Sequence, residues 1–148
     1  MFKTDETDMK ILRELSKDSR ISFRKLARKL GIATTTAISR YRRMKKLGIL
    51  RCHSVIVDYE KLGYSLTVLI DMRVSKGKLA EVESKIAHKH NVYAVYDVTG
   101  ADDAVILARF RNREELNDFV KSLLAMEFVE RTNTHLVLNT IKEDFSFV

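Results

Sequence analysis

The sequence predicts an α+β chain. An N-terminal helix-turn-helix (winged) domain is followed by a C-terminal ferredoxin-like βαββαβ domain. Three observations predict it. Apolar residues recur at helical spacing in the first third of the chain and alternate at strand spacing from Ser65 onwards. The composition changes at Asp58-Tyr59-Glu60-Lys61-Leu62-Gly63. Positive charge is gathered in one place: Ser19 to Val57 holds eleven Lys or Arg and no Asp or Glu. The chain has 27 basic and 20 acidic residues, so the remainder carries 16 against 20, a net of −4.

A first helix runs to about Lys17, capped by Thr4 or Asp5. Ile11, Leu12 and Leu15, helped by Met9, form its inner face, and Asp5, Glu6 and Asp8 suit the positive end of its dipole. Asp18 to Ser22 makes the turn into a second helix, where Phe23, Leu26, Ala27 and Leu30 fall at i, i+3, i+4, i+7. Gly31 follows, where a chain leaving a helix needs the left-handed conformation. Thr34 or Thr35 can cap a third helix. Ala37, Tyr41, Met44 and Gly48 form its narrow inner face, and Gly48 ends it. Thr35, Thr36, Ile38, Ser39, Arg42, Arg43 and Lys46 form the outer one. An equally good rotation puts Ile38 in the core and Ala37 outside. Ile49 to Val57 is rich in β-branched residues and reads as a strand, a wing or a bridge.

The second half alternates cleanly. Ser65–Ser75 is a strand with Leu66, Val68, Ile70, Met72 and Val74 on one face. Lys78–His90 is a helix with Leu79, Val82, Ile86 and Ala87 at helical spacing. Val92–Thr99 and Ala104–Arg111 are strands joined by the tight Gly100-Ala101-Asp102-Asp103. Glu114–Met126 is an amphipathic helix, and Phe128–Ile141 is the last strand. Both helices then cover one face of an antiparallel sheet, and a second copy of the chain is the simplest cover for the other. The predicted division is residues 1–57, a linker at 58–64, and residues 65–148.

Bulk properties exclude several classes. The 148 residues, 45% of them hydrophobic, suit one globular domain or two small ones. No run approaches the roughly 18 apolar residues of a membrane span, and Met1 to Glu6 has no apolar signal core. The single cysteine, Cys52, permits no internal disulfide, which suits a reducing, cytoplasmic setting. Proline is absent, which removes rigid linkers. His53, His88, His90 and His135 are scattered, and no nucleophile–base couple, zinc spacing, phosphate-binding loop or dinucleotide fingerprint appears. Neither an enzyme nor a metal site is predicted.

What remains is recognition of a polyanion. A cluster of like charge on a small helical unit is the electrostatic footprint of a phosphate-binding surface, and a helix-turn-helix lays its second helix in the major groove. Thr34, Thr35, Thr36 and Ser39 offer hydroxyls to phosphates or base edges, and Ile38 offers an apolar contact to a thymine methyl. Arg42 and Arg43 could clamp a guanine edge or a phosphate. Arg24, Lys25, Arg28 and Lys29 flank the preceding helix and would cross the backbone. Arg40 could bridge to a phosphate or brace the bundle.

Taken together, the chain resembles the Lrp/AsnC, or feast/famine, family of regulators over nearly its whole length. The resemblance is carried by Asp8-Met9-Lys10-Ile11-Leu12, Lys25 to Gly31, Ile38 to Met44, Gly48-Ile49-Leu50, Lys61-Leu62-Gly63-Tyr64 and Thr99-Gly100-Ala101-Asp102-Asp103, in that order. It implies a dimeric transcription regulator that assembles into tetramers or octamers. It also implies a C-terminal domain that serves both oligomerisation and effector binding, the effector being an amino acid held between neighbouring subunits. Thr99, Gly100, Ala101, Asp102 and Asp103 form the segment matching that cleft. A glycine turn can present N–H groups to the effector's carboxylate, Asp102 and Asp103 can face its ammonium, and Thr132 and Thr134 can add hydroxyls. The competing reading of Gly100–Asp103 is a plain hairpin turn. The functional alternative is an effector-independent architectural protein that wraps DNA by phosphate contacts alone; a sensor or enzyme with a basic tether is a third.

Overall fold

The computed structural model describes residues 4–75 and 77–144. The first three residues of the predicted N-terminal domain and the last four of the C-terminal one lie outside them. The chain divides into two compact units, residues 4–56 with 142–144, and Val57–Ile141.

The first unit holds three helices, α1 (Glu6–Lys17), α2 (Phe23–Leu30) and α3 (Thr34–Lys46). Asp5 caps α1 in a reciprocal box: its carboxylate accepts from the Asp8 N–H, and the Asp8 carboxylate accepts from the Asp5 N–H. Ser22 caps α2 by accepting from the Lys25 N–H. The three helices close on Ile11, Leu15, Leu26, Ala27, Ala37 and Met44, with Leu50 at the edge. Ala37 is fully buried, which settles the rotation of α3: Ala37 points inward and Ile38 lies half-buried at the flank.

Two expectations fail in this unit. Neither Thr34 nor Thr35 caps α3. The extended residue at its start is Ala33 (φ −67°, ψ 145°), so Thr34 already stands on the first helical turn, and no side chain accepts from the free N–H groups. Residues 51–57 contain no strand. A strand needs a ladder partner for its backbone groups, and the described part of this unit has none. So Ile49–Val57 supplies neither a strand nor a wing.

The second unit is β1 (Leu66–Val74), α4 (Leu79–Ala87), β2 (Val92–Asp97), β3 (Ala104–Phe110), α5 (Arg113–Leu124) and β4 (Val129–Leu136). The strands form an antiparallel sheet in the order β2-β3-β1-β4, the ferredoxin-like arrangement predicted. Val68, Ile70, Met72 and Val74 of β1 and Ala104, Ile106, Ala108 and Phe110 of β3 share the buried face with Val82, Ile86, Phe119 and Leu123 from the two helices. Each large side chain there contributes roughly 1.5–3 kcal/mol through removal from water. The opposite face shows Leu69, Asp71, Val105 and Leu107, all at least partly exposed. β4 stops at Leu136 rather than Ile141. The Val137 N–H bonds the Thr67 carbonyl at the start of β1, and beyond it no strand is left to pair with.

The segment before β1 is bound to this sheet. The Arg109 guanidinium lies 4.3 Å from the ring centre of Tyr59 and 4.1 Å from that of Tyr93. Arg111 lies 5.2 Å from Tyr64, whose ring meets Tyr59 edge-on. These cation–π contacts hold residues 59–64 in place.

Candidate functional site

The helix-turn-helix is built by two glycine exits. Gly31 takes φ +66°, which lets the Ile32 N–H reach back to the Ala27 carbonyl at 3.0 Å. Gly48 takes φ +70° at the end of α3, and the Ile49 N–H closes on the Met44 carbonyl at 3.0 Å. Between them α3 is anchored through Ala37 and Met44. Tyr41 seals one flank, meeting Phe23 edge-on at 5.1 Å. Its hydroxyl is 2.9 Å from His53 Nε2 and the two rings stack. His53 is thus a structural residue.

With Ala37 and Met44 inward, the 100° step per residue turns Thr35, Ser39, Arg42 and Lys46 directly outward. All four are exposed. The Ser39 hydroxyl donates to the Thr36 carbonyl at 3.0 Å, which leaves its oxygen free to accept. Thr34 is exposed at the start of the helix and Thr36 half-buried on the flank towards α1. On α2, Arg24, Lys25 and Arg28 are exposed. These three and Arg42, Lys45 and Lys46 enter no ion pair among the described residues.

Arg40 and Arg43 are placed differently from the other cations of α3. Arg40 Nη1 donates to Asp5 Oδ2 at 2.5 Å and to Asp8 Oδ1 at 3.1 Å. Arg43 Nη2 donates to Asp8 Oδ2. Asp8 is wholly buried. The carboxylates of Asp5 and then Asp8 raise the Arg40 pKa further above its ordinary value, and Arg40 holds Asp5 below the usual carboxylate range. Asp5, Thr36, Ser39, Arg40 and Arg43 line a cavity of about 410 Å³ between α1 and α3. Of the two roles open to Arg40 in the sequence, the structure shows the brace. Sequence reasoning placed Asp5 as a candidate cap, and Asp5 and Asp8 as anions at the start of the first helix, but gave neither a partner on α3. Their arginine partners lie 32 to 35 residues away, and no local pattern joins them.

In the second unit, Thr99–Asp103 joins β2 to β3. Gly100 has φ +135°, and Gly100 and Ala101 are exposed. Asp103 is committed to the fold: its N–H donates to the Met72 carbonyl at 2.9 Å, its carboxylate accepts from the Val74 N–H at 2.8 Å, and its carbonyl accepts from the Val98 N–H. Asp102 pairs with Arg131 at 3.0 Å. Thr132 stands opposite Met72 and Thr134 opposite Ile70, so Ala104, Met72 and Thr132 form one row across three strands. Two strand spacings, about 10 Å, therefore separate the end of the turn from Thr132. Asp103 is thus taken up as a backbone acceptor rather than standing free for an ammonium. Arg131, unremarked in the sequence, is the cation at this turn.

A three-helix unit with a basic, exposed second helix of the motif, joined to a βαββαβ unit, defines a two-domain helix-turn-helix transcription regulator. Residues 5–45 match the AsnC-type helix-turn-helix domain, and residues 67–147 match the Lrp/AsnC ligand binding domain. The chain belongs to the Lrp/AsnC family. An uncharacterised HTH-type transcriptional regulator of Pyrococcus furiosus is 45% identical over 144 residues, covering 97% of each chain. The structure of E. coli AsnC superposes with a TM-score of 0.90 at 23% identity over 97% of each chain. A Neisseria meningitidis transcriptional regulator in complex with L-Met superposes at 0.89, with 23% identity, over 99% of this chain and 97% of that one. These relatives are transcription regulators, not enzymes, and the chain carries both the DNA-binding and the ligand-binding domain of that class. No described helix is long and apolar enough to cross a membrane.

Proposed function

We propose that this regulator is a cytoplasmic, sequence-specific reader of double-stranded DNA, acting as a dimer or higher assembly and modulated by a small amino acid. The observation that carries the DNA part is the outward face of α3. Thr35, Ser39 and Arg42 stand in line with solvent while α2 presents Arg24, Lys25 and Arg28 beside it. Hydroxyls and an arginine on the groove-facing side specify bases, and the flanking cations position the helix on phosphates. Ile38 sits at the flank, within reach of an apolar base edge.

The effector part rests on the matched ligand-binding domain and on the chemistry of the Thr99–Asp103 turn. The exposed Gly100-Ala101 backbone suits a carboxylate, and the Arg131–Asp102 pair beside it would open to give a cation for that carboxylate and an anion for an ammonium. Thr132 and Thr134 share the sheet face of Met72 and Ile70, away from Arg131. The L-Met complex of the Neisseria relative supports an amino acid as the ligand class. Assembly uses the uncovered sheet face, where Leu69, Val105 and Leu107 present apolar surface that a second copy would cover. Effector and assembly are coupled only if the ligand binds one arrangement of subunits more tightly than another.

The test is selection of duplexes from a random pool, followed by footprinting with each of the twenty amino acids. The expected result is a palindromic consensus with half-sites about one helical turn, or a multiple of it, apart, and a footprint that changes with one amino acid or a few. A featureless pool would replace this reading with the architectural one. Footprints and assembly sizes that no amino acid alters would remove the effector.

A further inference from the structure

The eleven cations between Ser19 and Val57 do not form one pool. Lys29 pairs with Glu14, while Arg40 and Arg43 converge on Asp8. Asp8 has no exposed surface, whereas the Arg40 and Arg43 side chains are 27% and 47% exposed. Both Asp8 oxygens are occupied: Oδ1 by Arg40, Oδ2 by Arg43 and by the Asp5 N–H. Arg40 spends Nη1 and Arg43 spends Nη2 on that carboxylate, and moving either donor to a phosphate would leave a buried carboxylate short of a partner, which is strongly unfavourable. The same three side chains tie the first turn of α1 to two successive turns of α3, so they also fix the rotation of α3 about its own axis.

We propose that Asp8 is a positioning residue for DNA reading: it withholds Arg40 and Arg43 from the phosphate backbone and locks α3 so that Thr35, Ser39 and Arg42 face the groove. The inference rests on the DNA-reading function and deepens it. It separates cations that neighbour one another in sequence. Arg42 is a DNA contact and Arg43 is a brace, although each is a surface arginine on the same helix. Asp8 touches no DNA, yet it decides how many phosphates the domain neutralises.

The salt dependence of affinity counts those phosphates, because each neutralised phosphate adds about 0.9 to the slope of log affinity against log salt. The experiment measures that slope for the full chain on a duplex selected by the wild type, alongside circular dichroism of each variant. Arg42→Gln is expected to flatten the slope by about 0.9 and Arg43→Gln to leave it unchanged. Asp8→Asn keeps the side-chain shape and frees Arg43, while Arg40 keeps its bond to Asp5, so the slope steepens by about 0.9. Discrimination between selected and scrambled duplex falls about tenfold, the size of one weakened base contact. If Arg43→Gln flattens the slope as much as Arg42→Gln does, or if neither changes it, the proposal is overturned. An Asp8→Asn chain that folds but keeps the wild-type slope and discrimination also overturns it. Should that variant not fold, the two arginine variants decide. A wild type that ignores duplex DNA at low salt rejects the DNA-reading function itself, so the two failures are told apart.

Discussion

Asp5 and Glu14 show how single carboxylates hold the helical unit. Asp5 is kept below its ordinary range first by Arg40 and then by the Asp8 N–H. Glu14 is kept low by Lys29 first and Lys17 second, and so joins α1 to α2. A carboxylate whose folded pKa lies below its unfolded value adds stability above the unfolded value. That contribution fades as pH falls towards the folded pKa. The helical unit is therefore expected to lose stability as pH drops below the ordinary carboxylate range, near 4, and Glu14→Gln to shrink the loss. Urea midpoints against pH for the wild type and Glu14→Gln check this; parallel curves would count against it. At this scale the sequence displayed charge but not pairing. Arg42 and Arg43 are indistinguishable as letters. What separates them is a 100° turn of helix and an aspartate 35 residues away.

At the scale of elements, ends were harder to read than middles. Gly31 and Gly48 announced their boundaries, because left-handed exits have few substitutes, whereas Ser22 read only as part of a turn and proves to cap α2. The start of α3 was misplaced by its three consecutive threonines, each a plausible cap, whereas the chain turns at Ala33. The strand core was legible from Val68 to Met72 because alternation sets the face of every residue. Ile49–Val57 carried the same β-branched signal without a ladder partner, which no local pattern reports. The vacancy at Ala33 has a consequence. Its backbone is already extended, so Ala33→Ser places a hydroxyl oxygen where the free N–H groups of α3 can donate. The expected gain is about 1 kcal/mol, read as a higher urea midpoint with an unchanged slope. A lowered or unchanged midpoint would mean that the first turn of α3 is satisfied in some other way.

At the scale of the whole molecule, the chain keeps two cores with no residue in common. One is built on Ile11, Leu26, Ala37 and Met44, the other on Val68, Ile70, Ile106 and Phe110. Charge follows the same division: the helical unit holds the basic stretch, and the remainder of the chain is net acidic. The division between a domain for DNA and a domain for ligand is thus written into packing as well as into the fold. Leu26 and Ile70 are each fully buried, one in each core. Truncating either to alanine removes a comparable volume, for roughly 2–5 kcal/mol. If the cores are separate cooperative units, each cost stays local. Leu26→Ala should speed amide hydrogen exchange across α1 to α3 and leave the sheet protected; Ile70→Ala should do the reverse. Exchange followed by mass spectrometry on the full chain resolves the two regions. Equal loss of protection in both units from either substitution would mean that they unfold as one body.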